Sequence, residues 1–248
     1  MAGFHGVTLD GGGILINRNL PCSQPPTSNF CAAKPLYKYM HKEHALDLVK
    51  NGFIKIGTLY DFRLQESHGE WIGDRLEGFC NRFTNQTHFF NSNIMGMQLN
   101  NVNIINTHSK PTVSVQFSSP DYYLYCTTYL PDKSVLATSG YDTCVRINDP
   151  RSFFKAVTNK LNKKTELIAP SYDCHPVIYE KKEHLIDLGV PVHTQNIWRT
   201  KCLTARYSQQ KEVRCRWAPR KRGEDNSIAL PPVFRVKQLS DFCEIIGL

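Results

Sequence analysis

Alternation of apolar and polar residues marks the strands of this chain. Leu36-Tyr37-Lys38-Tyr39-Met40 predicts a short strand with two aromatics on one face. His41 to Asn51 predicts a helix with Ala45, Leu46 and Val49 as its apolar stripe, stopped at Asn51-Gly52. Phe53 to Gly57 predicts the next strand, with Phe53 and either Ile54 or Ile56 facing inward. Thr112 to Phe117 alternates with period two, and Tyr122 to Tyr129 and Thr143 to Ile147 are further β-rich runs. Asp149 suits a helix N-cap and Pro150 its first turn, ahead of a stripe of Phe153, Phe154, Val157 and Leu161. Pro176 to Glu180, Glu212 to Trp217, Val233 to Val236 and Phe242 to Ile246 predict strands, and Lys181 to Leu188 a helical stretch. Asn81 to Asn106 is Asn-rich and is expected to be irregular or built of short strands. Strands outnumber helices and do not alternate regularly with them, which argues for an α+β fold. Residues 1–34, with Gly11-Gly12-Gly13 and a Pro- and Ser-rich run, are expected to form an N-terminal extension to a domain spanning 35–248.

Composition narrows the class. Hydrophobic residues make up 41% of 248 and charged residues 21%, which excludes a disordered chain, a coiled coil and a collagen-like fibre. No apolar run reaches the length of a membrane span, and Met1 to Asn19 lacks the pattern of a signal peptide, so a cytoplasmic location and no membrane partner are expected. The nine cysteines include no C-x-x-C pair, so no zinc site is expected and reduced thiols are.

Charge points to an anionic partner. Thirty Lys and Arg against 22 Asp and Glu give +8. The stretch 206–222 holds seven cations, Arg214, Arg216, Arg220, Lys221 and Arg222 among them, against Glu212 alone. Trp217 and Tyr207 interleave with them as stacking surfaces. This is either a solvated charge run or a nucleic-acid track; Lys160, Lys163 and Lys164 form a second basic cluster.

Two segments carry candidate chemistry. In an ideal strand Gln210, Glu212, Arg214 and Arg216 share one face. That face is either a solvent-facing wall with a cross-strand ion pair or a site wall with Glu212 as its working carboxylate. Tyr37 and Tyr39 are either core tyrosines or a platform for a planar ring, with Lys38 as a cation for phosphate. A third segment, Asp61 to Gly78, carries Asp61, Glu66, Asp74 and Glu77 and offers oxygen ligands for a magnesium-dependent nuclease, though in no tight motif. His41 and His44 are expected at the surface.

The opening Leu36 to His41, the helix ending Lys50-Asn51-Gly52, the strand Phe53 to Ile56 and the late Gln210-Lys211-Glu212 together resemble ADP-ribosyltransferases of the DarT type. With the loop around Tyr60-Asp61-Phe62-Arg63 they also resemble anti-phage ADP-ribosyltransferase toxins of the CmdT type, from toxin–antitoxin–chaperone systems. The resemblance covers 35–65 and 200–217, with a fainter echo at 122–155. It implies a split β-sheet with short flanking helices and an NAD-dependent transfer. Glu212 would stabilise an oxocarbenium-like transition state and Gln210 would orient the acceptor. Tyr37 or Tyr39 would stack the nicotinamide, and Lys38 or Arg63 would meet the pyrophosphate. The basic track would make the acceptor RNA, messenger RNA included, or single-stranded DNA, and a toxin would need a neutralising antitoxin protein. The chain departs from the pattern at Lys38, where these families place Arg or His. For the usual second-strand Ser or Tyr, Thr58 and Tyr60 are the candidates. The competing expectations are a metal-dependent endonuclease and a non-catalytic nucleic-acid-binding module.

Overall fold

The computed structural model describes residues 34–63, 78–84, 113–180, 194–202, 209–223 and 233–248, with shorter pieces at 7–10, 13–19, 88–89, 92–94, 97–99, 102–103, 183–185 and 227–228. It is a mixed α+β arrangement with mostly antiparallel strands and a few short helices.

Seven strands form the main sheet. Their order is Asp173–Pro176, Glu212–Trp217, Tyr123–Thr128, Leu36–Met40, Thr143–Ile147 and Cys243–Ile246, with Gly57–Thr58 also pairing on Tyr123–Thr128. Tyr123–Thr128 meets Glu212–Trp217 along six residues but meets Leu36–Met40 at Thr128 and Tyr37 alone. Its other end, Tyr123 and Leu124, takes Thr58 and Gly57 instead. The sheet therefore opens between its two central strands, and the opening is where the cleft described below lies.

One helix, Pro150–Thr165, seals one face of this sheet. Asp149 caps it by accepting from the Ser152 amide at 3.1 Å, and Pro150 occupies the first turn, where its missing N–H leaves nothing unpaired. Phe153, Phe154, Val157 and Leu161 are fully buried against Tyr125, Val213, Cys215 and Trp217. Each such side chain contributes roughly 1.5–3 kcal/mol. The Trp217 indole donates to Thr158 Oγ1 at 2.7 Å, which satisfies its one polar atom inside the core.

The 42–51 helix departs from simple α geometry. Lys42–Leu46 is α-helical and Asp47–Asn51 is a π-turn. Gly52 then turns the chain at φ +70°, and a Cβ there would lie 2.2 Å from the Val236 carbonyl oxygen. Phe53 is 43% exposed while Ile54 and Ile56 are buried, so Phe53 does not face inward as expected. The reason is the pairing of Phe53–Lys55 with Val233–Arg235, which directs Ile54 and Phe234 to the core together.

A second, five-stranded sheet runs Val7–Asp10, Gly13–Asn19, Val113–Ser118, Phe79–Thr84 and Glu183–Leu185. Val7–Asp10 and Gly13–Asn19, within the expected N-terminal extension, are strands, and Gly13–Asn19 pairs in parallel with Val113–Ser118. The helix expected over Lys181 to Leu188 is corrected: Glu183–Leu185 extends and pairs in parallel with 81–83, because ladder bonds to a waiting strand outweigh weak local helix preference. The Asn-rich 81–106 region contributes several short strands. Reduced thiols were expected throughout. Cys126, Cys144, Cys215 and Cys243 are free, but Cys174 is in a disulfide.

Candidate active site

A cleft of about 550 Å³ fills the opening in the main sheet. Tyr37, Lys38 and Tyr39 form one wall and Gln210, Glu212 and Arg214 another, with Tyr125 to Thr128 between them. Residues far apart in sequence thus meet because Tyr37 and Glu212 both register against Thr128, one on each side of it.

Glu212 sits at the centre of a buried ionic cluster and is itself 7% exposed. Its Oε1 accepts from Arg214 Nε at 2.7 Å and its Oε2 from Lys201 Nζ at 3.1 Å. Lys201 also donates to Gln210 Oε1 at 3.0 Å, so one ammonium ties both candidate residues together. Arg214 is 1% exposed and spends a second donor on the Trp198 carbonyl at 2.9 Å. Burial alone would raise the Glu212 carboxyl, but Arg214 and Lys201 outweigh it, with hydrogen bonds from Arg214 and Cys126, and hold it far below the usual carboxylate range. Glu212 is therefore an anion at any physiological pH. The Cys126 thiol beside it is pushed up to about 12, first by burial and then by that anion.

The strand containing Glu212 is buried on both faces, so it is not the solvent-facing wall that alternation allows; Glu212 and Arg214 line the cleft instead. Gln210 also reaches the cluster by a different route than strand alternation. Residues 209 and 210 form a turn, Lys211 adopts φ +46°, and only then does the strand begin at Glu212. A non-glycine residue in this left-handed region costs on the order of 1–2 kcal/mol. Bonds from the Thr128 hydroxyl at 3.1 Å and the Tyr129 amide at 3.4 Å to the Lys211 carbonyl hold it there.

On the facing wall, Lys38 places its ammonium 5.3 Å from the Tyr125 ring centroid. Burial lowers its pKa, while Cys126 and Glu212 pull the other way. Tyr39 is buried, and its hydroxyl donates to the Asp132 carbonyl at 3.1 Å. Tyr37 is half-buried and is the more accessible of the two rings. The buried Tyr125 hydroxyl has no hydrogen-bond partner among the described residues. His41 and His44 are exposed at the cleft mouth, alongside Asp61 and Phe62.

Arg63 is not part of this wall. Its guanidinium stacks 3.6 Å from the Tyr60 ring centroid and lies beside the Gly78 turn, outside the cleft lining. Of the two residues expected at a pyrophosphate, Lys38 lines the cleft and Arg63 does not. Of the second-strand candidates, Thr58 is buried and bonds the Asp61 amide at 3.0 Å, while the Tyr60 hydroxyl donates to the Ser119 carbonyl at 3.1 Å.

The expected nucleic-acid track is broken up. Arg214 is committed to Glu212, and Trp217 is core. Arg216 is buried, bonded through Nε and Nη2 to Asp173 Oδ2 at 2.8 Å, and sandwiched between Tyr122 and Trp198 at 4.7 and 4.5 Å. All three are buried, so none of them is open to a phosphate backbone lying on the surface. Arg220 and Lys221 are exposed, Lys221 lying 3.7 Å from Glu166, and Arg222 bonds the Asp121 carbonyl at 3.0 Å.

Lys201, Cys126, Asp173 and Trp198 belong to the site's framework, and sequence reasoning missed them. Thr200–Cys202 is a three-residue strand with no motif around it, and Lys201 is readable only once its position beneath Glu212 is known. Of the acidic-loop residues, Asp61 lines the cleft, and Glu66, Asp74 and Glu77 lie outside the described residues. Among the described residues no group of three His, Cys, Asp or Glu side chains is placed to hold a metal. No helix among them is long and apolar enough to cross a membrane.

No family model, no curated protein and no solved structure matches this chain.

Proposed function

We propose that the cleft binds NAD⁺ and that the protein is an ADP-ribosyltransferase acting on nucleic acid. The observation that carries this reading is the meeting of Gln210 and Glu212 with Tyr37, Lys38 and Tyr39 in one cleft. Its volume of about 550 Å³ lies within the roughly 300–1,000 Å³ range of small-molecule sites.

The residues suit the chemistry. Lys38, Lys201 and Arg214 give the floor a positive character that favours a pyrophosphate. Tyr37 offers a half-buried ring to the nicotinamide. The bond from ribose C1′ to the nicotinamide nitrogen breaks with its electron pair going to nicotinamide, which leaves neutral. The sugar carries the positive charge until an oxygen or nitrogen of the acceptor attacks C1′ and releases its proton to solvent. Glu212, fixed as an anion, stabilises that charge. Its two oxygens accept from Arg214, Lys201 and Cys126, and a carboxylate with about four acceptor sites keeps one for a ribose hydroxyl. Lys201 holds Gln210 beside it, positioned toward the acceptor.

The enclosure of Glu212 by two cations favours one competing reading, a pocket that binds a nucleotide without turnover. Labelled NAD⁺ incubated with separate pools of RNA, single-stranded DNA and protein distinguishes them. The transferase labels a nucleic-acid pool, and Gln210→Ala and Tyr37→Ala, chosen because both side chains are only partly buried, reduce it at least tenfold. Binding of NAD⁺ with no label in any pool would leave the nucleotide-binding pocket.

A further inference from the structure

A second groove lies where the long helix Pro150–Thr165 faces the segment 235–242, with a volume of about 740 Å³. Lys155, Lys160 and Lys163 line it from the helix, Arg235 and Lys237 from the facing segment, and Phe242 from its floor. Among the described residues no acidic side chain lines it. All five cations are exposed, and among the described residues none of them is in an ion pair. Five like charges facing one another across a groove repel, and the arrangement persists because water and counterions screen it. A polyanion would replace those counterions.

We infer that this groove is the docking track for a single-stranded nucleic acid. Three features favour that occupant over a compact anion. Lys155 and Lys163 stand eight residues apart on a helix, about 12 Å at 1.5 Å per residue. That length matches the rise of three to four stacked nucleotides at ~3.4 Å each. The half-buried Phe242 supplies an aromatic surface beside the cations, the combination that holds a base next to its phosphate. Finally, the groove adjoins the cleft through one short strand. Val233 of the Val233–Arg235 strand lines the cleft and Arg235 lines the groove. Arg235 is fixed between them, its Nε bonded to the Asn51 carbonyl at 2.8 Å and its guanidinium 5.8 Å from the Phe53 ring, and Phe53 itself lines the cleft. Arg235 is thus the point at which a nucleic acid held on the helix comes nearest to residues of the cleft. The groove's role as the acceptor's path rests on the transferase reading; its binding of nucleic acid does not.

The test is fluorescence anisotropy with a labelled 12-nucleotide single strand, without NAD⁺, across a salt series. Five engaged cations give a slope of log K against log salt of about −3.5, at ~0.7 per phosphate contact. The combined variant Lys155→Ala, Lys160→Ala, Lys163→Ala leaves two and is expected to bind at least tenfold more weakly, with a slope near −1.4 on the same basis. Alanine suits an exposed helix position, so the fold is expected to survive. Arg220→Ala with Lys221→Ala, at an exposed basic pair outside the groove lining, is expected to change affinity less than twofold. Unchanged binding in the triple variant, an equal loss in the Arg220 and Lys221 variant, or tighter binding of a duplex or an acidic peptide than of the single strand would each overturn the inference. Because no NAD⁺ is present, failure here leaves the transferase reading untouched. Label transfer that fails while this binding holds would overturn the transferase and not the groove.

Discussion

Replacing Glu212 by Gln removes one negative charge from between two buried positive ones. Arg214 is 1% exposed and Lys201 2%, so neither can recover a hydration shell when its partner is neutralised. Arg214 keeps its bond to the Trp198 carbonyl and Lys201 its bond to Gln210, but each loses the Glu212 carboxylate, and the new amide turns an NH₂ toward one of them. Breaking a buried pair in this way costs about 3–5 kcal/mol. That is a large part of the ~5–15 kcal/mol that holds a typical domain together. Urea unfolding at pH 7 should therefore show the midpoint of Glu212→Gln well below wild type with an unchanged slope. The pH dependence gives an independent check. The folded pKa lies far below the ordinary 4.5, so the contribution of Glu212 is fully present above about 4.5 and is lost as pH falls toward the depressed folded value. The gap between wild type and Glu212→Gln should be flat from pH 5 to 7 and narrow below pH 4.5. Exchanging all three charges for apolar residues, Glu212→Leu with Arg214→Met and Lys201→Met, should restore most of the lost stability. A gap under ~1 kcal/mol at pH 7, or one that widens in acid, would refute the ionic cluster as described.

Further outcomes follow from the same geometry. Lys38→Met removes an ammonium whose pKa burial depresses, so stability should hold or rise by up to ~1 kcal/mol. The stability of wild type relative to the variant should also climb as pH rises from the depressed folded value toward 10.5, while NAD⁺ binding by calorimetry weakens in the variant. Lys211→Gly relieves the positive φ and should leave stability unchanged or raise it by up to ~1 kcal/mol in thermal melts. Gly52→Ala, whose methyl would meet the Val236 carbonyl at 2.2 Å, should lose more than ~2 kcal/mol in the same assay.

The sequence was most readable where local rules act alone. Asp149-Pro150 and the stripe Phe153, Phe154, Val157 and Leu161 predict the long helix and its buried face, and Gly52 stops the earlier helix through its left-handed backbone. Strand Glu212–Trp217 was readable in its limits and not in its surroundings. Alternation of charged and apolar residues normally marks one wet face; here Asp173, Lys201 and the rings of Tyr122 and Trp198 make a dry face able to hold Glu212, Arg214 and Arg216. Those partners come from separate segments, and no local pattern announces them. Glu183–Leu185 is extended for a similar reason, since its pairing partner lies about a hundred residues earlier. The groove cations Lys160 and Lys163 were visible as a cluster, whereas Arg235 and Lys237 join them only through the fold.

The central claim is that residues 37–39 and 210–212 build one dinucleotide site. The most direct measurement is an experimental structure of the protein with a non-hydrolysable NAD⁺ analogue. The expected result is the analogue in the opening between Leu36–Met40 and Tyr123–Thr128, with its nicotinamide against Tyr37 and a ribose hydroxyl on Glu212. An analogue bound elsewhere, or a cleft that stays empty at saturating analogue, would contradict it.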